Sequence, residues 1–422
     1  MGMTRDAKSG RFKTRSPAYP DRYHNAAALP RRILLTSGSY HHIVDGVTLT
    51  LNRLVAHLEA HGIEVMVVAP TANPSPMEPT GRFCPVPSVT LPGRREYRVS
   101  TIIPPRLRRE IARFRPDLIH VATPDFVGRW AMGYGRMRSI PVVATYHTDF
   151  MAYLGYYGLA SLESTLLGYL RYFYRRCDIV CVPSRSMIDR LVDRGIDGRM
   201  RIWGRGVETD RFAPVHRSRT WRGGLGVDER VPVINFTGRL VLEKNVMALP
   251  DISRRLDNKG TPYRMVVVGE GPARARLEAA MPRAIFTGRL EAEALATAYA
   301  SSDLFCFPSE SETFGNVLLE AMASGLPSVA VAATGSADLV LENRTGFLTD
   351  PSDGADGLSS AVARLASNPD LRVRMSHAAR AHAMSYRWET ILDSMLAHYR
   401  EASNIRPAVF RRRMMGLRPA GA

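Results

Sequence analysis

The sequence predicts an α/β protein built from two Rossmann-like, doubly wound domains. Short apolar runs rich in Val, Ile and Leu alternate with helical patterns from residue 31 to about residue 385, which is typical of parallel sheets covered by helices. The chain has 422 residues and 45% hydrophobic content, so it is long enough to bury two cores. A polar segment over 213–230, with Pro214 and the Gly223-Gly224 pair, is predicted to link the domains.

The predicted strands and the composition of the termini set the expected domain bounds. Strands of the first domain are predicted at residues 33–35, 65–69, 118–121, 142–145 and 179–182. We expect a basic tail over 1–30, a first domain over 31–214, a second domain over 215–385, a helix over 386–402 and a basic tail over 403–422. The first 29 residues hold six basic residues and no apolar core, so they are predicted to be disordered, with neither a signal peptide nor a membrane span.

Two carboxylates, Glu312 and Glu320, flank a Phe-Gly turn that is predicted to open an Ala-, Leu- and Met-rich helix. The first N–H groups of a helix are unpaired and lie at the positive end of its dipole, so a diphosphate could bind at Gly315 and Asn316. Glu312 precedes the helix and Glu320 lies nearly two turns into it, so the pair could hold two hydroxyl-bearing parts of one elongated ligand, such as a nucleotide sugar. The alternative is an acid favoured by the helix dipole and a solvated surface Glu.

Upstream, two cations and a glycine-rich turn follow predicted strands. Arg239 and Lys244 come just after a strand end, where they could neutralise a pyrophosphate leaving group; the alternative is a pair of solvated loop cations. Gly269 and Gly271 form a turn that allows tight backbone geometry near a ligand. This turn lacks the third glycine of a dinucleotide fingerprint, so it indicates a Rossmann-like half and not an NAD site.

The carboxylate motif resembles the E-x7-E signature of the retaining nucleotide-sugar glycosyltransferase family with the two-Rossmann (GT-B) fold, in particular its glycolipid-synthesising branch of mannosyl, glucosyl and sulfoquinovosyl transferases. Similar residues also occur at 307–309, 325–327, 334–335 and 343–348. The resemblance implies two domains facing across a cleft, with a C-terminal helix that crosses back to the first, acceptor-binding domain. It also implies that no catalytic metal and no cofactor is needed, because the family generally uses Arg, Lys and helix dipoles instead.

The resemblance further implies roles for individual residues. The catalytic candidates are His147, Arg239, Lys244 and Glu312. The donor-binding candidates are Gly46, Val47, Gly238, Gly269, Gly271, Phe314, Gly315, Asn316, Val317 and Glu320. The acceptor candidates are Asp149, Tyr146, Tyr153 and Arg205. A neutral imidazole at His147, after a predicted strand, could bond a sugar hydroxyl, or it could be a structural histidine bonded to backbone groups. The adjacent pair His41 and His42 is either an acceptor contact or part of a plain loop.

The charge distribution points to an anionic partner. The formal net charge is +17, and residues 1–215 carry 31 Lys and Arg against 18 Asp and Glu. Eight arginines between Arg94 and Arg115 are interspersed with apolar residues. Basic residues accompany aromatic residues over 151–174 and apolar residues over 409–418. Such segments could lie on an anionic membrane surface with their apolar side in the interface, or the arginines could be the solvated face of a packed helix. No apolar run reaches the roughly 18 residues of a spanning helix, so we expect a cytoplasmic enzyme that is peripheral on the inner face of the cell membrane.

The remaining observations narrow the classes of function. The four cysteines form no C-x-x-C pair, and no His/Asp set at metal-ligand spacing is recognised, so no metal site is predicted. A nucleic-acid binder would explain the charge but not the carboxylate motif. We therefore expect a retaining hexosyltransferase that uses a UDP- or GDP-sugar and a lipid acceptor such as diacylglycerol or a glycosylated diacylglycerol. A nucleotide-sugar epimerase and a transferase with a soluble or polysaccharide acceptor are the alternatives. The sequence does not specify the base, the hexose, the linkage or the oligomeric state.

Overall fold

The computed structural model describes residues 28–43, 45–91, 94–147, 163–310, 312 and 314–414, with side chains described outside 91–97 and 406–414. Contacts within the chain divide these residues into two units. The N-terminal unit contains residues 28–203 and 392–414, and the C-terminal unit contains residues 204–391.

The N-terminal unit is built on a seven-stranded parallel sheet in the order β3-β2-β1-β6-β7-β8-β9. Its strands are β1 (Arg32–Thr36), β2 (Glu64–Pro70), β3 (Arg82–Val86), β6 (Leu118–Val121), β7 (Val142–Thr145), β8 (Ile179–Val182) and β9 (Met200–Ile202). An antiparallel ribbon of β4 (Ser88–Leu91) and β5 (Arg94–Ser100) is inserted after β3. The helices are α1 (Gly46–Ala60), α2 (Pro105–Phe114), α3 (Phe126–Arg138), α4 (Glu163–Tyr174) and α5 (Arg185–Asp193).

The C-terminal unit is built on a six-stranded parallel sheet in the order β12-β11-β10-β13-β14-β15. Its strands are β10 (Val233–Thr237), β11 (Arg264–Val268), β12 (Ile285–Gly288), β13 (Leu304–Phe307), β14 (Ser328–Val331) and β15 (Gly346–Thr349). Its helices are α6 (Arg219–Gly224), α7 (Ala248–Asn258), α8 (Arg274–Ala280), α9 (Ala292–Ala300), α10 (Asn316–Ala323), α11 (Ser336–Leu339), α12 (Gly354–Ala366) and α13 (Pro369–Ala383). The prediction of two doubly wound α/β domains is confirmed.

The first strand of each unit lies inside its sheet and has neighbours on both sides. In the C-terminal unit, β10 pairs with β11 on one side and with β13 on the other. The direction of winding reverses beside such a strand, and open parallel sheets bind ligands at the carboxyl ends of the strands at this point. The loops after β10, β11 and β13 therefore meet at the edge of the sheet where a ligand is expected.

The units defined by contacts divide at Trp203 and Gly204, ahead of the division that was expected at residues 214–215. The segment that follows Gly204 is bonded to the C-terminal unit: the Val207 N–H donates to the Tyr386 carbonyl at 2.9 Å. Arg380 donates to the carbonyls of Thr209 (3.0 Å) and Phe212 (2.8 Å). These hydrogen bonds join residues that are far apart in the sequence, so a local sequence pattern cannot predict them.

The C-terminal helix, α14 (Trp388–Met414), passes from one unit into the other. It continues well beyond residue 402, where the helix was expected to end. From Leu392 onward it belongs to the N-terminal unit, where Tyr399 Oη lies 2.7 Å from Nδ1 of the buried His120 and Arg201 Nε donates to Glu401 Oε2 at 2.8 Å. The predicted return of the last helix to the first domain is confirmed.

The arginine-rich helix α2 packs its apolar side into the core of the N-terminal unit. Leu107, Ile111 and Phe114 are buried in one hydrophobic cluster, together with Ile103 just before the helix. The expectation that these side chains are available to a membrane is therefore wrong, because they complete the core. The arginines remain on the outside of α2. Within the described part of the chain, no helix is both long and apolar enough to cross a membrane.

Candidate active site

Two loops at the carboxyl edge of the C-terminal sheet are bonded to each other. The Leu240 N–H, after β10, donates to the Glu270 carbonyl, after β11, at 2.8 Å. Gly269 has a φ of +136°, and a Cβ there would lie 1.9 Å from the Gly238 carbonyl oxygen. A Cβ on Gly271 would lie 2.4 Å from the Leu240 carbonyl oxygen. The glycines thus allow the two backbones to touch, and this contact fixes the loop that carries Arg239.

Gly269→Ala is expected to destabilise the C-terminal unit by about 2–4 kcal/mol, because the methyl group would overlap a backbone carbonyl and the φ would be strained. Denaturant unfolding followed by circular dichroism measures the change. Gly223→Ala, in a helix with no atom within 4 Å of the added Cβ, is the matched control and should change stability little. Equal effects of the two substitutions would contradict the role assigned to the loop contact.

An ion pair joins the loop after β10 to the loop after β13. Lys244 ends the short 3-10 helix Leu242–Lys244, and its Nζ contacts Oε1 of Glu312. Both side chains are mostly buried, with exposed fractions of 19% and 16%. The next residue, Asn245, donates to Glu310 at 3.1 Å. The structure thus brings together two predicted catalytic residues that are 68 positions apart.

Arg239, in contrast, lies on the surface. Its side chain is 67% exposed and pairs with Glu243 at 2.8 Å. A surface ion pair contributes only about 0.2–1 kcal/mol, so the guanidinium can turn toward an anion at little cost.

Helix α10 begins shortly after Glu312 in the sequence. The first N–H groups of a helix have no partner within the helix. Gly315 is the N-cap with a φ of +99°, and its position has no capping side chain. The first turn contains no acidic residue; Asn316 is exposed and Val317 is half-buried. Phe314, just before the cap, is buried with its ring 6.1 Å from that of Tyr386. The phenylalanine therefore anchors the turn, while the helix start remains available to an anion.

Glu320, on α10, is held in a polar cluster that the sequence did not reveal. Its Oε2 accepts a hydrogen bond from Tyr299 Oη at 3.1 Å. Burial raises the pKa of Glu320 to about 7; the Tyr299 bond opposes the shift, and the charge of Glu208 adds to it. Glu208 is itself paired with Arg211 at 2.7 Å. Tyr299 lies on the apolar side of α9 and Glu208 near the unit boundary, so no local motif connects either of them with Glu320.

Glu320→Gln is expected to remove a pH dependence of stability worth about 1–3 kcal/mol. Because the folded-state pKa is raised from 4.5 to about 7, the folded protein holds this proton more tightly than the unfolded chain does. Its stabilisation is full below about pH 4.5 and is lost as the pH rises to about 7. The melting temperature of the wild type, measured against that of the variant, should fall between about pH 5 and about pH 8. The surface substitution Glu291→Gln is the control, and a difference that does not change with pH would argue against the buried carboxylate.

In the N-terminal unit, Gly46 and Val47 begin α1, directly after β1 and its loop. Asp45 caps this helix by accepting the Thr48 N–H at 2.8 Å. In the same loop, His41 Nδ1 lies 3.3 Å from the Met77 carbonyl, and His42 Nδ1 lies 3.2 Å from the Pro70 carbonyl. Both rings are buried, and burial lowers the pKa of His42. These contacts favour a loop-packing role for the two histidines over contact with an acceptor.

The other candidates lie at different depths. His147 follows β7 and is half-buried, with its ring 5.6 Å from that of Trp203. Tyr146 is buried in the core against Tyr174, a placement that favours packing over acceptor contact. Arg205 is mostly buried and belongs to the C-terminal unit. Asp149 and Tyr153 lie outside the described residues.

The fold brings together one His/Asp cluster that was not predicted. His57 and His61 lie one turn apart at the end of α1, and Asp393 of α14 joins them. The third residue follows the first by 336 positions, so only the folded chain shows the set.

Comparisons with known proteins identify the family to which this sequence and fold are similar. The family model described as Glycosyltransferase Family 4 matches residues 44–211, and the one described as Glycosyl transferases group 1 matches residues 217–382. A GDP-mannose-dependent alpha-mannosyltransferase of Mycobacterium tuberculosis is 34% identical over 372 residues, which cover 87% of this chain and 96% of the relative. An alpha-monoglucosyldiacylglycerol synthase of Streptococcus pneumoniae is 26% identical over 71% of this chain and 70% of its own. The solved sucrose-phosphate synthase of Thermosynechococcus elongatus shares the fold with a TM-score of 0.66, at 22% identity over 88% of this chain and 98% of its own.

Proposed function

The chain belongs to the GT-B glycosyltransferase family that these matches define, and from that premise we propose that it transfers a hexose, with retention of configuration, from a UDP- or GDP-sugar to a membrane lipid. The Lys244–Glu312 ion pair carries the proposal. It places a cation suited to a phosphate next to a carboxylate suited to a sugar hydroxyl, as a nucleotide sugar requires at the bond that breaks. The mannosyltransferase relative is named for GDP-mannose and the synthase relative for a glucosyl lipid, so base and hexose stay open.

The proposed reaction uses groups of the chain at each charged position. The bond between the sugar C1 and the diphosphate oxygen breaks, and Arg239, Lys244 and the start of α10 stabilise the anion that leaves. The acceptor hydroxyl attacks C1 from the same face and gives its proton to the departing phosphate oxygen. Glu312 accepts a hydrogen bond from a sugar hydroxyl, Glu320 binds the ribose, and His147 bonds the transferred sugar. We thus assign the stabilisation of the leaving-group charge to groups of the protein and not to a metal ion.

We expect Arg239→Ala and Lys244→Ala each to lower the turnover number by about 100-fold or more, because each removes a contact to a developing anion. The donor for this assay is whichever UDP- or GDP-sugar raises the melting temperature of the enzyme most. The rate of glycolipid formation is then measured with radiolabelled donor.

Arg254→Ala is the matched control, since Arg254 is 66% exposed and paired with Asp251 in the same unit. Its turnover should stay within a few-fold of the wild type. Near-normal turnover in both Arg239→Ala and Lys244→Ala would contradict the phosphate assignment. Epimerised donor formed without an acceptor would favour the epimerase alternative.

A membrane acceptor is supported by the surface of the N-terminal unit. Arg106, Arg109 and Arg113 are exposed along α2, and Ile102, an exposed apolar residue, lies three positions before its start. The cross-strand pair Val89 and Val99 of the β4–β5 ribbon is also exposed. Each cation near an anionic leaflet contributes about 1 kcal/mol to binding. We therefore propose that the enzyme works as a peripheral protein at the inner face of the cell membrane, held mainly by charge.

A second cation–aromatic surface lies on α3 and α4. The guanidinium carbons of Arg176 and Arg129 lie 3.7 Å and 5.5 Å from the centre of the exposed Tyr172 ring. Tyr169 instead donates its hydroxyl to the Pro124 carbonyl at 2.6 Å. We therefore assign Tyr172, among the described aromatic residues of this segment, to contact with lipid headgroups.

Replacing Arg106, Arg109 and Arg113 together by Gln is expected to lower sedimentation with phosphatidylglycerol-rich vesicles about tenfold or more, since three surface cations are lost. Binding of the wild type should fall as salt shortens the Debye length below about 10 Å. The triple replacement of Arg230, Arg254 and Arg276 by Gln removes the same charge from the C-terminal unit and should leave vesicle binding nearly unchanged. Equal sedimentation with neutral and anionic vesicles, or equal losses in the two triple variants, would contradict the membrane surface.

A further inference from the structure

We propose that His57, His61 and Asp393 form a binding site for a divalent transition-metal ion, with Zn²⁺ as the best chemical match, where Asp393 of α14 meets the end of α1 in the N-terminal unit. The site is separate from the residues assigned to sugar transfer, so it stands independently of the proposed function.

The geometry of the three side chains suits one ion. His57 lies in the last turn of α1 and His61 is the C-cap of that helix four residues later, and their ring centres lie 4.4 Å apart. Asp393 Oδ1 lies 2.9 Å from His57 Nε2. One potential ligand atom from each residue lies within 4.8 Å of the other two. Ligands of a tetrahedral Zn²⁺ with bonds of about 2.0–2.2 Å are about 3.3–3.6 Å apart, so small side-chain rotations complete the site.

The hydrogen bonding of His61 prepares it for a metal. Its Nδ1 lies 2.8 Å from the backbone carbonyl of His57, so Nδ1 carries the proton and donates it. The lone pair is then on Nε2, the atom that binds. A ligating histidine whose other nitrogen donates to a carbonyl is the common arrangement in metal sites, because the bond fixes the tautomer and the ring orientation.

Access and adjustability also fit. The His57 side chain is 16% exposed and that of Asp393 is 62% exposed, while His61 lies on the surface. An ion can therefore reach the site, and a water molecule can supply a fourth ligand. When a cation binds, His57 and Asp393 each exchange their mutual hydrogen bond for a bond to the ion, so neither group is left without a partner.

The ligand set selects the kind of ion. Two imidazoles and one carboxylate suit Zn²⁺, Ni²⁺ or Cu²⁺, whereas Mg²⁺ and Ca²⁺ prefer oxygen ligands. A bound ion would tie the part of α14 that enters the N-terminal unit to the end of α1. It would therefore stabilise the docking of the C-terminal helix.

Isothermal titration of the tag-free, full-length protein with Zn²⁺ tests the proposal. We expect one ion per chain, no binding of Mg²⁺, and a rise in melting temperature of about 5 °C at a Zn²⁺ concentration ~100-fold above the dissociation constant. Co²⁺ in place of Zn²⁺ should give the intense visible absorption of a tetrahedral site.

His61→Ala and Asp393→Asn each remove one ligand from an exposed position, so the protein should still fold. Each is expected to weaken Zn²⁺ binding by about 10–100-fold and to abolish the Co²⁺ spectrum. His377→Ala, which removes an exposed histidine from a helix of the other unit, is the matched control and should bind Zn²⁺ as the wild type does. Absence of Zn²⁺ binding would overturn the proposal and leave His57–Asp393 as a plain hydrogen bond. Binding that is unchanged in both ligand variants would also overturn it, since the ion would then lie elsewhere.

Discussion

The candidate site depends on one constraint: all strands of the C-terminal sheet run parallel, so they end at the same edge. Since β10 lies between β11 and β13, three loops from distant parts of the chain meet there. The contact of Gly269 with the Gly238 carbonyl fixes two of these loops, and the Lys244–Glu312 ion pair joins the third. The site therefore follows from strand order, and each motif gains its chemical meaning only from the loops beside it.

The buried charged residues of the C-terminal unit are of two kinds: some stabilise the fold, and others are available to a ligand. Arg222 is fully buried, and it donates to the Val231 carbonyl at 2.8 Å and to Asp303 at 2.8 Å, so it ties the start of the C-terminal unit to its sheet. Lys244 and Glu312 instead form a mostly buried pair at a loop edge. Such pairs rarely add much stability, because desolvation offsets their attraction. A ligand that offers a phosphate to Lys244 and a hydroxyl to Glu312 would give each of these residues a new partner in place of the other.

The sequence predicts what is local and misses what is brought together by folding. The periodic apolar runs predicted both sheets but missed β3 and β9. The Phe-Gly turn before an Ala-, Leu- and Met-rich run predicted the site helix. The same periodicity cannot tell whether Leu107 and Ile111 face a core or a membrane, because both surroundings are apolar. Tyr299, which bonds Glu320, looks like any core residue of an apolar helix. Asp393 gains its neighbours only where α14 packs on α1.

The docking of α14 in the N-terminal unit combines two kinds of contact that respond differently to the surroundings. His120 is buried between Tyr399 and Thr145, with Nδ1 2.7 Å from the Tyr399 hydroxyl and Nε2 3.2 Å from the Thr145 hydroxyl. Burial lowers the pKa of His120 to about 3, so the ring stays neutral at physiological pH and this contact is constant. The cluster of His57, His61 and Asp393 lies at the surface, where ions can reach it. The inner contact therefore stays the same, whereas the outer cluster, like the partly exposed Arg201–Glu401 ion pair, responds to ions in the solution.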